Sequence, residues 1–109
     1  MKKKLTVTKG SGNIYADLGF PQPEAELAKA QLALRINDIL CERGLNQTQS
    51  AKVLHIDQAK VSALSRGNLS GFSMDRLVRF LNALDRDVEI VIRSKPASRK
   101  LARVRVAAQ

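Results

Sequence analysis

One short stretch of the chain carries side chains that could recognise the edges of base pairs. Gln58, Ala59, Ser62 and Ala63 recur at the spacing of one helical face, and this face holds no large apolar residue. A glutamine amide can bond N6 and N7 of adenine together, and alanine methyls can touch the methyl group of thymine. Ser62 is short enough to reach a base or a phosphate. We therefore predict that these four residues read base pairs, with A·T-containing half-sites preferred.

Further side chains near this face could bind phosphate groups. They are Arg43, Gln47, Lys60 and Arg66. Phosphate contacts hold a protein in register on DNA but carry no sequence information. Gln47 would also begin a helix, whose free N-terminal amides suit the same anion. The alternative is that Gln47 and Gln58 are ordinary polar residues of a solvated surface, but the surrounding motif favours DNA contacts.

A rigid corner between two helices is needed to present these side chains. The stretch from Leu45 to Gly67 predicts two short helices, from Gln47 to about Leu54 and from Gln58 to about Arg66, joined by a tight turn. Asn46 and Asp57 can cap them. One packed corner would bury the apolar residues of this stretch, which are Ala51, Leu54, Ile56, Val61 and Leu64.

Two further helices are predicted around this corner. The first runs from Glu24 to Arg43, lacks Gly and Pro, begins with acids and stops at Gly44. The fourth is capped by Ser73. The residues predicted to face the core are Leu32, Ile36, Ile39 and Leu40, widened by Leu27, Leu34 and Cys41, in the first helix, and Leu77, Val78, Leu81 and Leu84 in the fourth.

The apolar pattern changes to a period of two after the fourth helix. Val88, Ile90 and Ile92 alternate with the other residues of Asp87 to Arg93, as in a strand with one buried face. A lone strand leaves its backbone groups unsatisfied, so it must pair with Leu5 to Thr8 or with the same strand of a second subunit. Because most helix-turn-helix readers are two-fold symmetric, we expect a homodimer.

The net charge of +9 at pH 7 suggests a nucleic-acid partner, although it lies mostly at the ends of the chain. Residues 93–109 carry six bases and no acid, whereas residues 24–92 hold nine bases and nine acids. We divide the chain into an extended leader (1–23), a helix-turn-helix domain with a C-terminal strand (24–93) and a basic, disordered tail (94–109). The tail either assists DNA binding or is solvated without a dedicated role.

Length and cysteine content limit the class of protein further. A chain of 109 residues supports one small domain with a modest core. The single Cys41 excludes an internal disulfide, and neither a run of about 18 apolar residues nor the apolar region of a signal peptide is present. We expect a reduced cytoplasmic protein with no membrane partner.

The motif resembles a known family. The spacing of Leu45, Gln47, Ala51, Leu54, Ile56, Val61, Ser62, Leu64 and Gly67 is similar to the helix-turn-helix of Cro and the phage repressors, the XRE-type regulators. This resemblance implies a mainly α fold of four to five helices, to which the sequence adds a short C-terminal β-strand. It also places Gln58, Ala59, Ser62 and Ala63 at base-reading positions and Gln47 at a phosphate position.

A narrower resemblance is to the HigA-type antitoxins, and it rests on Gly12 to Pro21 followed by Glu24 to Ile36. It implies a dimeric repressor that binds its own operator and neutralises a RelE/HigB-like toxin, a ribosome-dependent mRNA endonuclease. The leader, with its apolar Ile14, Tyr15, Leu18 and Phe20, is one candidate for toxin contact, and the first helix is the other. The same leader residues could instead dock on the protein's own first helix.

His55 departs from the family pattern, because the turn of the helix-turn-helix usually has Gly there. A left-handed backbone at this position would strain a side chain, although His adopts it more often than most residues. A metal-ligand or catalytic role for His55 would need a second His or a Cys and carboxylate cluster, and no other His exists. We expect no cofactor, no metal and no enzymatic activity.

Two other functions are alternatives to the antitoxin hypothesis. The first is a stand-alone phage- or plasmid-type regulator without a toxin partner. The second is RNA binding or enzymatic activity. Aromatic residues make up only 4% of the chain, so no stacking platform for RNA bases is evident, and no nucleophile and base set can be named.

Overall fold

The fold is known from a computed structural model, which describes residues 18–19 and 22–107. Four helices account for its regular structure. They are α1 (Pro23–Glu42), α2 (Gln47–Leu54), α3 (Gln58–Ser65) and α4 (Met74–Ala83). The helices predicted from the sequence are confirmed, and α2 and α3 form the expected helix-turn-helix.

The helix starts follow from local capping. The Asn46 side chain accepts a hydrogen bond from the Gln49 N–H (2.8 Å), and the Gln49 side chain accepts one from the Asn46 N–H (2.9 Å). Asp57 accepts from the Lys60 N–H at the start of α3, and Ser73 accepts from the Arg76 N–H at the start of α4. Each cap satisfies a backbone donor that the first helical turn leaves unpaired.

One hydrophobic core joins all four helices. Its most deeply buried side chains are Ile36, Ile39, Leu64, Leu77 and Leu84. α1 and α4 pack against each other, while α2 and α3 close the other side of the core. The helix-turn-helix formed by α2 and α3 is therefore packed into the main core of the domain.

The core stripe of α1 is narrower than predicted. Leu34 is 49% exposed and Cys41 is also exposed, so the expectation that they widen the stripe is wrong. At 100° per residue, both positions point well away from the face that carries Ile36 and Leu40. That face alone meets α3 and α4.

No strand forms within residues 22–107, so the predicted strand over residues 87–93 is not observed in this single chain. Val88 packs against the core, whereas Ile90 (82%) and Ile92 (92%) are exposed. The proposed pairing with Leu5 to Thr8 lies outside the described residues. The domain boundaries stay predictions, and part of the tail predicted to be disordered contacts α1, as described below.

Candidate nucleic-acid interface

The predicted base-reading residues share the outer face of α3. Gln58 and Ala59 are exposed, and Ser62 and Ala63 are half-buried. Val61 and Leu64 point the other way and are buried, so the core determines which face of α3 is free. We call the face of α3 that carries these four residues the reader face, and α3 the reader helix. Because Ala63 also packs against the core, only the N-terminal end of the reader face is fully exposed.

A hydrogen bond connects two residues that were predicted to make different kinds of contact. The Arg66 guanidinium Nη1 donates to the Ser62 hydroxyl oxygen, one helical turn away. The Ser62 proton stays able to donate to a base or a phosphate. Ser62 and Arg66 therefore form one polar unit at the C-terminal end of the reader face.

The phosphate-binding candidates divide into two groups. Gln47 is exposed at the first position of α2, Lys60 lies on α3, and Arg66 directly follows α3 as its C-cap. Arg43 lies apart from them, because its Nη2 donates to the Leu84 carbonyl oxygen (2.7 Å) and is 3.6 Å from Oδ2 of Asp85. Arg43 thus joins the end of α1 to the end of α4, and the structure does not bring it to the reader face.

The loop that follows α3 was predicted from the sequence, but its residues were not among those predicted to contact DNA. Asn68, Ser70 and Gly71 line an open cleft together with Ala59, Lys60 and Ala63 of the reader helix. The loop offers short polar side chains beside Lys60. The sequence could have indicated this contact, because small polar residues directly after Gly67 are typical of a loop that can approach a phosphate backbone.

Asn37 of α1 fixes the position of α3 through a hydrogen bond to its main chain. Its Nδ2 donates to the Leu64 carbonyl oxygen (3.1 Å), which ties α1 to the C-terminal turn of α3. The bond is partly buried and spans 27 residues of sequence. Asn37 is a positioning residue, and no local sequence pattern indicates it.

The comparisons with known proteins agree with this geometry. A family model described as "Helix-turn-helix domain" matches residues 14–93. The chain belongs to this helix-turn-helix family.

Two relatives are similar to the chain. A solved structure described as "Putative XRE Family Transcriptional Regulator" is 48% identical, with a TM-score of 0.77, and the match covers 82% of this chain and 100% of that one. "Putative antitoxin HigA2" of Mycobacterium tuberculosis (strain ATCC 25618 / H37Rv) is 28% identical over 61 residues, which are 56% of this chain and 60% of that protein. Together with the arrangement of α2 and α3, these matches make the chain a DNA-binding transcriptional regulator of the XRE type.

Neither a metal site nor a membrane span is found in the described part of this helix-turn-helix protein. Within residues 18–19 and 22–107, no three His, Cys, Asp or Glu side chains are grouped to hold a metal ion. Within the same ranges, no helix has the length and apolar character needed to cross a bilayer.

The turn of the helix-turn-helix has the strained backbone that the sequence indicates. His55 has φ 59° and ψ 44°, in the left-handed region. The Ile56 N–H bonds to the Ala51 carbonyl oxygen (3.0 Å), which closes the end of α2 as in a Schellman motif. The helix ending requires this backbone, and glycine adopts it with less strain than histidine.

His55→Gly is expected to leave the free energy of unfolding unchanged or to raise it by up to about 1 kcal/mol. Relief of the left-handed strain is partly offset by the greater freedom of glycine in the unfolded chain. His55→Ala is the control, because it removes the imidazole but keeps the strain, and it should be less stable than the glycine variant. Thermal and urea unfolding measure both, and a clear fall in Tm for His55→Gly would contradict the account.

Asn37→Ala is expected to lower the free energy of unfolding by about 1 to 3 kcal/mol, because it leaves the Leu64 carbonyl without this donor in a partly buried place. Asn82→Ala is the matched control. Asn82 also donates to a main-chain oxygen, that of Arg86 (2.9 Å), but at an exposed site, so the loss should stay within about 0.5 kcal/mol. Equal losses in urea unfolding would mean that Asn37 does not anchor α3.

Proposed function

We propose that this chain is a sequence-specific DNA-binding antitoxin and autorepressor, which binds its own operator as a homodimer and neutralises a RelE/HigB-like mRNA endonuclease. The observation that carries the DNA-reading part is the exposed face of α3, with Gln58 at its open end and Val61 and Leu64 buried behind it. The alternative is a stand-alone phage- or plasmid-type regulator without a toxin.

Two features support recognition of specific DNA. The amide of Gln58 stands at the N-terminal end of the reader helix, where such helices contact base edges. Ala59 and Ala63 are small, which allows α3 to approach the major groove closely. We expect Gln47, Lys60 and Arg66 to bind the flanking phosphates, and Arg66 also donates a hydrogen bond to Ser62.

The antitoxin part rests on similarity and on the leader. The match to the protein named HigA2 supports it, and the chain covers 60% of that relative's length. Of the four apolar leader residues predicted to contact a toxin, only Leu18 is among the described residues, and it is 67% exposed. Ile14, Tyr15 and Phe20 lie outside the described residues.

Co-expression with the product of the adjacent reading frame tests the antitoxin part. If that product is a small basic RelE-like protein, its expression alone should arrest growth, and this chain should restore growth and co-purify with it. Gln58→Ala is the control, since it should lose operator specificity but still restore growth. If no neighbouring product arrests growth or binds the chain, the stand-alone regulator is favoured.

The homodimer is proposed from an uncovered apolar segment. Ile90, Val91 and Ile92 are three consecutive exposed branched residues in a stretch without helix or turn. Pairing with the same segment of a second copy would satisfy the backbone groups and bring these side chains into contact with their cross-strand counterparts. It would also place two reader helices on one duplex, with half-sites about 34 Å apart or a multiple of that distance.

Ile90→Pro is expected to convert the dimer into a monomer at micromolar concentration, because proline removes a backbone donor from the paired strand. Ala97→Pro, outside the segment, is the matched control and should stay dimeric. Sedimentation velocity separates the two states. An unchanged dimer for Ile90→Pro would place the interface elsewhere.

A further inference from the structure

The end of the described chain is attached to α1 through its main chain. The Val104 N–H donates to Oε1 of Glu24 (2.9 Å), and the Val106 N–H donates to Oε1 of Gln31 (2.8 Å). In an extended segment, residues two apart present their N–H groups on the same edge. Two side chains of α1 therefore hold one edge of residues 104–106.

The face of α1 that contacts this segment can accept hydrogen bonds from main-chain N–H groups. Glu24, Ala28 and Gln31 follow one another at helical spacing, so two long acceptors stand on either side of a small residue. Val106 is half-buried and packs against the core, which adds one apolar contact. We call Glu24, Ala28 and Gln31 the α1 seat.

The segment held on the α1 seat is strongly basic. Residues 93–109 carry six bases and no acid. Arg103 and Arg105 alternate with the two attached valines, and both are exposed. Side chains of an extended segment alternate between two faces, so these arginines lie on the face opposite Val106.

The α1 seat does not coincide with the reader face. Gln31 precedes Asn37 by six residues, or about 9 Å along α1, and Asn37 is where α1 contacts the C-terminal turn of α3. Gln58 lies at the other end of α3. A segment held at Glu24 and Gln31 therefore keeps Arg103 and Arg105 on α1, away from the open end of the reader helix.

We propose that the α1 seat is a docking site for residues 104–106 of the same chain, and that this docking competes with phosphate binding by Arg103 and Arg105. The docked tail is displaced when DNA phosphates capture the arginines. Two hydrogen bonds and one half-buried valine hold it, and the net contribution of each such bond is small. Every phosphate that an arginine neutralises releases counterions, which favours DNA increasingly as salt is lowered. The competition rests on the proposed function, since DNA supplies the phosphates.

Amide hydrogen exchange measured by NMR without DNA tests the docking itself. Gln31→Ala removes the acceptor of the Val106 N–H, and the protection of this amide should fall roughly tenfold. Gln31→Glu is the matched control, because it keeps an acceptor oxygen and should keep the protection. A wild-type Val106 amide that exchanges as fast as an unstructured one would overturn the proposal.

Binding to a random-sequence duplex over a range of salt concentrations tests the competition. At each salt concentration, Gln31→Ala should bind the duplex up to about tenfold more tightly than wild type, because its arginines are already released from the α1 seat. The slope of log K against log salt should be the same for both proteins, since both complexes neutralise the same phosphates. The increase in affinity should vanish when Arg103→Ala and Arg105→Ala are added. Equal affinities of wild type and Gln31→Ala for the duplex at every salt concentration would overturn the competition. If neither protein binds any duplex, the proposed function fails and the competition with it, whereas the amide exchange still reports the docking.

Discussion

Gln58→Ala is expected to weaken binding to the operator by about 1 to 3 kcal/mol and to leave binding to random DNA almost unchanged. Gln58 is exposed at the first position of α3, where a bidentate amide contact to adenine would be lost without disturbing the core. The operator is found by selecting bound fragments from the DNA around the gene. Titration of operator and random duplexes at the same salt concentration then measures the difference.

Lys60→Ala is the matched control on the same helix. It should weaken binding similarly on all sequences and make the salt slope shallower by about one, because a phosphate contact carries charge but no sequence information. The cap of α3 stays intact, since it uses the main-chain N–H of Lys60. If both variants lose the same binding affinity for random DNA, Gln58 does not read a base.

The second large effect is expected in the core. Leu64→Ala should lower the free energy of unfolding by about 2 to 5 kcal/mol, through lost burial and the cavity left behind. Leu64 is fully buried, and its carbonyl oxygen is the one that Asn37 binds. A small domain has little stability to spare, so the variant should be partly unfolded at physiological temperature. Urea unfolding followed by circular dichroism measures the loss.

Leu34→Ala provides the control for that substitution. Leu34 is the same residue type, but it is 49% exposed on α1, and alanine has the higher helix propensity. The change in unfolding free energy should stay within about 0.5 kcal/mol. Comparable losses for Leu34→Ala and Leu64→Ala would mean that Leu34 is covered in solution, by the leader or by a second subunit.

The reader face offers few hydrogen-bond donors, which affects how the protein would distinguish DNA sequences. It is sparse in donors, with Gln58 and Ser62 beside alanines, and Ser62 already bonds Arg66. Close approach of α3 and the spacing of two reader helices in a dimer would then contribute more than many hydrogen bonds. This predicts that changes in half-site spacing weaken binding more than most single base changes.

The ends of the helices and the turn could be predicted from the sequence, because their causes are local. Asn46, Asp57 and Ser73 each bond a main-chain group three residues away, so the identity of the cap and its position contain the information. The left-handed His55 is likewise determined by the way α2 ends. The apolar spacing of α3 also predicted which of its faces is free.

Only the tertiary structure decided the contacts between distant residues. Asn37 with Leu64, Arg43 with Leu84 and Val104 with Glu24 are 27, 41 and 80 residues apart, and no periodicity connects them. The width of the buried stripe on α1 was decided in the same way, since Leu34 is apolar but none of the helices in the described part of the chain packs over it. A sequence pattern shows which residues can be buried or bonded, whereas the packing of neighbours determines which of them are. The exposed face of α3 that is predicted to read DNA could thus be identified from the sequence, but the contact of Asn37 with α3 and the α1 seat could not.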